Sequence, residues 1–300
     1  MTKISRRQFV GATAAIAVLS FADRAALANP LGLPFGIQLY SVRQQMLEDL
    51  DEALAAVSAA GYTEVEAAAL PKKSPKEIRA ALDEAGLRCV SAHHPFADLH
   101  TRFDEIVAYD KELGVQFIVC SSPGYRTPPP AGAPGGPKSY SLDDWHYNAE
   151  QFNTFGEKTA ASDIRFGYHN HTREFVVTDG KTPYMELLQL TDPKKVTYEL
   201  DCGWAIVAGV NPAEIMKNHP HRITMLHVKD FKLPPNSTPE NHDEAKVTEM
   251  GHGTIDYRPI FAQAAKTQHI QHAFVEQEAF DMPWKESLKV DADYMRTFKM

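Results

Sequence analysis

Eight short apolar runs recur along the chain. They are 35–40 (FGIQLY), 63–67 (TEVEA), 87–93 (LRCVSAH), 116–121 (QFIVCS), 164–169 (IRFGYH), 196–201 (VTYELD), 222–228 (RITMLHV) and 272–277 (HAFVEQ). Between them lie longer stretches with helical spacing. Leu50, Leu54 and Val57 share one face of 47–60, while 74–85 opens on Ser-Pro and closes at Gly86. Asn-Pro opens 211–218 in the same way. A Ser or Asn cap followed by Pro starts a helix, and a glycine just past the last apolar position ends one. Strands of this length alternating with helices pair in parallel through right-handed crossovers. Eight units in about 270 residues predict an α/β fold, a single-domain (β/α)8 TIM barrel. The alternative is a doubly wound open sheet, but no Gly-x-Gly-x-x-Gly turn follows the first strand.

Two connections are long and follow strand ends. Residues 122–140 are rich in Pro and Gly, and 231–251 are polar. In a barrel these ends form the rim where sites are built, so both loops are expected to be lids or substrate walls.

The first residues carry a different pattern. Arg6-Arg7-Gln8-Phe9 precedes an Ala-rich apolar run from Gly11 to Phe21, and Ala26-Leu27-Ala28 supplies small residues for cleavage. The order charged, apolar, cleavable predicts a twin-arginine signal peptide over 1–28 and a mature domain over 29–300. The export machinery is then a partner, and the destination is periplasmic or extracellular. The apolar run is shorter than the roughly 18 residues of a spanning helix, so no membrane span is expected.

Composition agrees with a compact globule: 43% of residues are hydrophobic and 23% charged. Without residues 1–28 the chain keeps 27 basic and 38 acidic side chains, a net charge of −11. That balance argues against a nucleic-acid partner. Cys89, Cys120 and Cys202 are too scattered for a thiolate zinc site or a disulfide framework and are expected to be buried and unpaired.

Candidate chemistry falls at successive strand ends. His169, Asp201, His227 and Glu276 end the last four predicted strands. Neighbouring strands lie about 4.8 Å apart, so four such side chains can converge on one divalent ion. Two imidazoles and two carboxylates suit Mn, Fe, Co or Zn. Taken singly, a strand-end His or an Asp before Cys-Gly is more often structural; the run of four is what points to a metal. Around the same rim stand His93 and His94, Glu66, Gln38 and Tyr40, Asn170 and His171, Lys229 and Asp230, with Phe96, Trp204 and Trp284 as a candidate apolar wall. Of these, His94, Glu66, Tyr40 and Trp204 are the candidate substrate contacts. Lys229 and His171, with Glu276 as base, are the candidate proton-transfer groups.

The segments FGIQLYSVR, GYTEVEAA, LRCVSAHHPF, FGYHNH, ELDCGW, LHVKD, GHGTIDYRPI and FVEQE resemble the xylose isomerase-like TIM barrels, the sugar phosphate isomerase/epimerase family, over about 34–295. The resemblance implies that Asp201, His227 and Glu276 match the family's metal-binding Asp, His and Glu. Ketose epimerases of the family carry a Glu on strand five, where this chain has His169. The Tyr168-His169-Asn170-His171 pattern, with HVKD and VEQE, is closer to the inosose dehydratase branch. It leaves His169 and His171 both open as the strand-five ligand. Relatives are often dimers or tetramers, so a possible homo-oligomer is implied.

The resemblance further implies proton removal next to a carbonyl, with a metal stabilising the enediolate. Reprotonation makes an isomerase or epimerase, which stands first; loss of a β-oxygen makes a dehydratase or lyase, which stands second. Phosphorylated sugars are scarce outside the cytoplasm, and the rim shows no arginine cluster. The expected substrate is therefore a neutral sugar, keto-sugar, 3-keto-glycoside or cyclitol. Two rival classes are a non-catalytic sugar-binding protein of the envelope, which needs no Lewis acid, and a metal-dependent endonuclease, which needs a basic groove.

Overall fold

The computed structural model describes residues 31–128 and 139–299. The predicted signal peptide, and most of the proline-rich loop, lie outside the described residues. The barrel strands are β1 (Phe35–Gln38), β2 (Glu64–Ala67), β3 (Arg88–Pro95), β4 (Phe117–Ser122), β5 (Arg165–His169), β6 (Val196–Asp201), β7 (Ile223–Val228) and β10 (His272–Val275). All eight pair in parallel and close in the order β1-β10-β7-β6-β5-β4-β3-β2. Around them run α1 (Arg43–Glu48), α2 (Leu50–Ala60), α3 (Pro75–Ala85), α4 (Phe96–Leu113), α5 (Leu142–Ala160), α6 (Pro183–Leu190), α7 (Cys202–Val207), α8 (Pro212–Asn218), α9 (Tyr257–Thr267) and α10 (Trp284–Thr297). The expected (β/α)8 barrel is the observed fold, and the three cysteines are buried and unpaired.

Local signals explain most boundaries. Ser74 caps α3 in a reciprocal box with Glu77, and Gly86 ends it with a left-handed φ of 72°. Asn211 caps α8 ahead of Pro212. Three expectations shift. The helix predicted over 47–60 is two, because Asp49 is extended (φ −152°) and its carboxylate accepts from Glu52 N–H at 3.0 Å, starting a new helix. Strand one stops at Gln38, whose side-chain oxygen accepts from Tyr40 N–H at 3.1 Å and starts a 3-10 turn, so Tyr40 is not a strand residue. The polar segment after strand seven contains an antiparallel hairpin, β8 (Asp230–Lys232) with β9 (Lys246–Thr248).

Side chains alternate inward and outward along each strand. The barrel interior holds its own apolar plug of Val90, Phe117, Val119, Met225 and Phe274, separate from the core between strands and helices. Gly36 is part of this plug by omission: a Cβ there would lie 2.5 Å from the Phe274 ring. Two residues further toward the rim on β1, β2, β5, β7 and β10 come Gln38, Glu66, His169, His227 and Glu276. The same period on β6 brings Glu199 and then Asp201 inward. An apolar floor thus carries a polar upper tier.

One buried acid lies away from this tier. Asp291 of α10 accepts from Met250 N–H at 2.7 Å, its second oxygen has no hydrogen-bond partner among the described residues, and its carboxyl is pushed up to about 8 by burial, then by the charges of Glu249 and Asp230. An unfolded Asp titrates near 3.9, so the unfolded state releases its proton first and stability falls as pH rises from about 4 to 8. The Asp291→Asn variant should therefore gain melting temperature over the parent, more at pH 8 than at pH 5. The gain is bounded by about 5 kcal/mol. Thermal melts across that range check it; a pH-independent difference would remove the assignment.

Candidate metal centre and substrate cavity

His169, Asp201, His227 and Glu276 meet at the rim of the barrel. One ligand atom from each lies within 4.8 Å of the others, and all four side chains are buried. A second set, His93, His169, Glu199 and His227, meets the same criterion deeper in the barrel. The two sets share both imidazoles, and the ring nitrogens separate their roles. His227 Nδ1 faces Glu276 at 3.2 Å and Asp201 at 3.9 Å, while its Nε2 points down to Glu66 at 2.7 Å and Glu199 at 3.2 Å. His169 Nε2 faces Asp201 at 3.8 Å, and its Nδ1 faces Glu199 at 3.2 Å.

A metal-binding imidazole commonly donates its other N–H to a carboxylate, which fixes tautomer and ring orientation. Glu66 and Glu199 stand where those acceptors belong. With the inner nitrogens as N–H donors, the outer nitrogens keep their lone pairs for the space between Asp201 and Glu276. Burial, and then the neighbouring His227 and His93 charges, drive the His169 pKa far down and keep that ring neutral, as a ligand must be. Asp201 is the other sign of fit: it is fully buried, its Oδ1 caps α7 through Trp204 N–H at 2.7 Å, and its Oδ2 faces the Lys229 ammonium at 3.0 Å and the outer nitrogens of both imidazoles at 3.8 and 3.9 Å. The outer set therefore fits a divalent ion.

The inner tier is occupied by its own network. His93 lies between Glu199 at 2.6 Å and Glu66 at 3.0 Å and stacks on His227, ring to ring at 5.3 Å. Gln38 donates to Glu66 at 2.7 Å. Burial and the Glu66 charge raise the Glu199 carboxyl to about 7. Burial pushes Glu66 the same way, but His93 and His227 outweigh it and hold that carboxyl low. His93 is raised to about 9 because the same two carboxylates overcome its burial.

Lys229 closes one side of the outer set. It is fully buried, with its ammonium 2.5 Å from Glu276, 2.6 Å from Glu278 and 3.0 Å from Asp201. Its backbone is bracketed by the Tyr257 hydroxyl, which accepts from Lys229 N–H at 3.0 Å and donates to its carbonyl at 2.6 Å. Next to it, the Asp230 carboxylate accepts from the N–H groups of Phe231, Gly251, Gly253 and Ile255 at 2.8–3.1 Å. This is the physical content of the LHVKD and GHGTIDYRPI segments: the second loop folds onto Asp230 and Tyr257 and holds Lys229. Gly203 makes room for the lysine stem, since a Cβ there would sit 2.3 Å from Lys229 Cγ. The Asn170 amide clamps the ends of β5 and β6, accepting from Asp201 N–H at 3.0 Å and donating to its carbonyl at 3.2 Å.

A cavity of about 680 Å³ opens onto His169, His171 and Glu276 and runs outward past His94 to Arg102 and Tyr109 on α4. Tyr40, His94 and His171 line it as expected. His171 is in neither cluster, whereas His169 is the β5 residue in both; burial and the Lys229 charge depress the His171 pKa to about 3. Two expected substrate contacts are corrected. Glu66 is fully buried beneath the imidazoles, with its Oε2 shared by Gln38, His93 and His227. Trp204 packs on Phe231 and under the Lys229 ammonium and donates to Glu278 at 3.1 Å, so it walls the lysine and not the cavity. Sequence reasoning missed Glu199 and Glu278. Strand alternation was the available signal, since each lies two residues from a ligand, Asp201 or Glu276.

Comparison with known proteins agrees with this geometry. Residues 54–298 match the sequence profile described as xylose isomerase-like TIM barrel. The chain belongs to the xylose isomerase-like TIM barrel family. Within it, this member is 25% identical over 245 residues to inosose dehydratase of Clostridium botulinum (strain Alaska E43 / Type E3), covering 76% of this chain and 82% of that protein. A sugar phosphate isomerase/epimerase of Parabacteroides distasonis superposes with a TM-score of 0.69 at 27% identity, covering 87% of this chain and 93% of that one. A 3-keto-D-glucoside 4-epimerase from E. coli superposes at 0.64 and 17% identity, over 89% of this chain and 100% of that one, a likeness of fold. Among the described residues no helix is long and apolar enough to cross a membrane.

Proposed function

We propose that this xylose isomerase-like barrel is a divalent-metal-dependent enzyme that removes the proton next to the carbonyl of a neutral keto-sugar or cyclitol. The observation that carries the reading is the meeting of the four-ligand set, through Glu276, with a cavity large enough for a sugar. His169, Asp201, His227 and Glu276 would hold the ion, which when bound supplies positive charge to the oxygens of a hydroxy-ketone. Glu276 lies on the cavity wall and takes the proton. Lys229, 2.5 Å from it, stabilises negative charge on that side. A neutral substrate fits the outer arm, where Lys72, Lys73 and Arg102 face Asp98, Glu105 and Asp110 with no surplus of positive charge.

Isomerisation or epimerisation follows when carbon is reprotonated. Loss of a β-oxygen is the second reading, and one observation favours it: Glu276 is the only carboxylate of the ligand set on the cavity wall, whereas a symmetric epimerase needs acid–base groups on both faces. The similarity to inosose dehydratase points the same way. Export by the twin-arginine route belongs to this proposal, since it explains a substrate without phosphate.

The test is metal-loaded protein in D₂O with methyl 3-keto-β-D-glucopyranoside, scyllo-inosose and a keto-sugar phosphate. Deuterium should enter next to the carbonyl of a neutral compound, and the Glu276→Gln variant should lose at least about 100-fold of that exchange. Binding without exchange would instead support a sugar-binding protein, and faster exchange into the phosphate would overturn the neutral substrate.

A further inference from the structure

His94 ends the barrel strand β3, beyond the metal set, and its Nε2 lies 2.7 Å from Asp110 Oδ2 on α4. Asp110 is 1% exposed, and among the described residues His94 is its only ion-pair partner. A buried carboxylate that holds one imidazole nitrogen fixes the tautomer and stabilises the imidazolium. No described residue bonds His94 Nδ1, and the ring lines the cavity. Its position within that cavity matters. Its chain neighbour His93 stacks on His227 at the metal end, and its partner Asp110 follows Tyr109 at the outer end. The dyad thus stands on the wall of a cavity of about 680 Å³, larger than one sugar ring requires. The remaining space has mixed walls, Tyr109 and Ile106 with Lys72 and Arg102, suited to an uncharged group joined to the ring.

We propose that His94, oriented by Asp110, protonates the leaving oxygen of a keto-glycoside whose aglycone occupies the outer arm. This inference rests on the elimination reading of the same site. In a 3-keto-glycoside, Glu276 takes the proton from C2, and the C–H electron pair moves toward the carbonyl at C3. As that carbonyl re-forms, the pair makes the C1–C2 double bond and the C1–O bond breaks. The departing oxygen keeps the bond's electrons and takes a proton from His94. Glu276 ends protonated and His94 deprotonated, and solvent exchange through the open cavity restores both. Substrate gives enone plus alcohol, with no oxidant or reductant.

Leaving-group dependence tests it. p-Nitrophenolate departs without an acid, whereas methoxide does not. The metal-loaded parent, His94→Gln and Asp110→Asn are compared on methyl and p-nitrophenyl 3-keto-β-D-glucopyranosides, following alcohol release and C2 deuterium exchange. His94→Gln should lose about 100- to 10,000-fold in methanol release. Its losses in p-nitrophenol release and in C2 exchange should be much smaller than the loss in methanol release, and the parent's metal content should hold. Asp110→Asn should show a smaller loss with the same leaving-group bias. Equal losses on both glycosides, or none on the methyl compound, would overturn the His94 role alone. A parent that exchanges C2 but releases neither alcohol would overturn elimination while leaving proton abstraction standing. A parent that does neither would overturn both.

Discussion

The Asp201→Ala variant should lose the divalent ion that the parent binds. Asp201 sits between both imidazoles, with the outer nitrogens of His169 and His227 at 3.8 and 3.9 Å and the Lys229 ammonium 3.0 Å from its Oδ2. Removing it leaves two imidazoles and one carboxylate already engaged by Lys229. Metal analysis after loading with Mn, Fe, Co or Zn should find about one equivalent in the parent and a small fraction of that in the variant. An ion that binds only the folded state also stabilises it, by about 2.7 kcal/mol at a hundredfold excess over Kd. The parent's melting temperature should rise with added metal and the variant's should not. A parent that takes up no metal under any loading condition would remove the centre, and with it the enediolate chemistry.

The Lys229→Met variant should behave in the opposite sense. The ammonium lies within 3.0 Å of Asp201, Glu276 and Glu278, and Lys229 is fully buried where its charge offsets theirs. Removing one partner from a buried ion cluster costs about 3–5 kcal/mol, because the remaining charge is uncompensated. In a chain of this size that is on the order of 10 °C in melting temperature. The loss should be largest in metal-free protein. A divalent ion replaces part of the missing charge, so added metal should stabilise Lys229→Met by more degrees than it stabilises the parent. Catalysis should not return, because the ion does not stand where the ammonium donates. Equal metal-induced shifts in parent and variant would mean that lysine and metal do not share the same field.

Much of the fold was legible because it rests on local chemistry. Strand-length apolar runs, Ser-Pro and Asn-Pro helix starts and a closing glycine each act within a few residues. The break at Asp49 was not legible, since a cap inside an amphipathic pattern shows only in its φ and its bond to Glu52. The ligands were legible for a topological reason: in a closed parallel barrel every strand ends at one rim, so position along the chain becomes position around a circle.

The separation of the polar residues into two tiers was not. Glu66 and Glu276 both read as rim acids. Their depths are set by stagger between strands, and this places one beneath the imidazoles and the other on the cavity wall. The same holds for the choice of His169 over His171, which depends on which side of the β5 end each ring leaves. It holds too for the Asp110 partner of His94, sixteen residues away on the following helix. The sequence by itself determined a barrel of eight βα units with candidate metal ligands on successive strand ends, because strand period and order of connection are local or nearest-neighbour properties. The tertiary structure alone decided which nitrogen of each imidazole faces Asp201 and Glu276, which carboxylate faces the cavity, and how Lys229 is held by Gly203, Tyr257 and Asp230. Those choices turn on differences of a few ångströms between strands and loops distant in sequence, and only the packed molecule sets such distances.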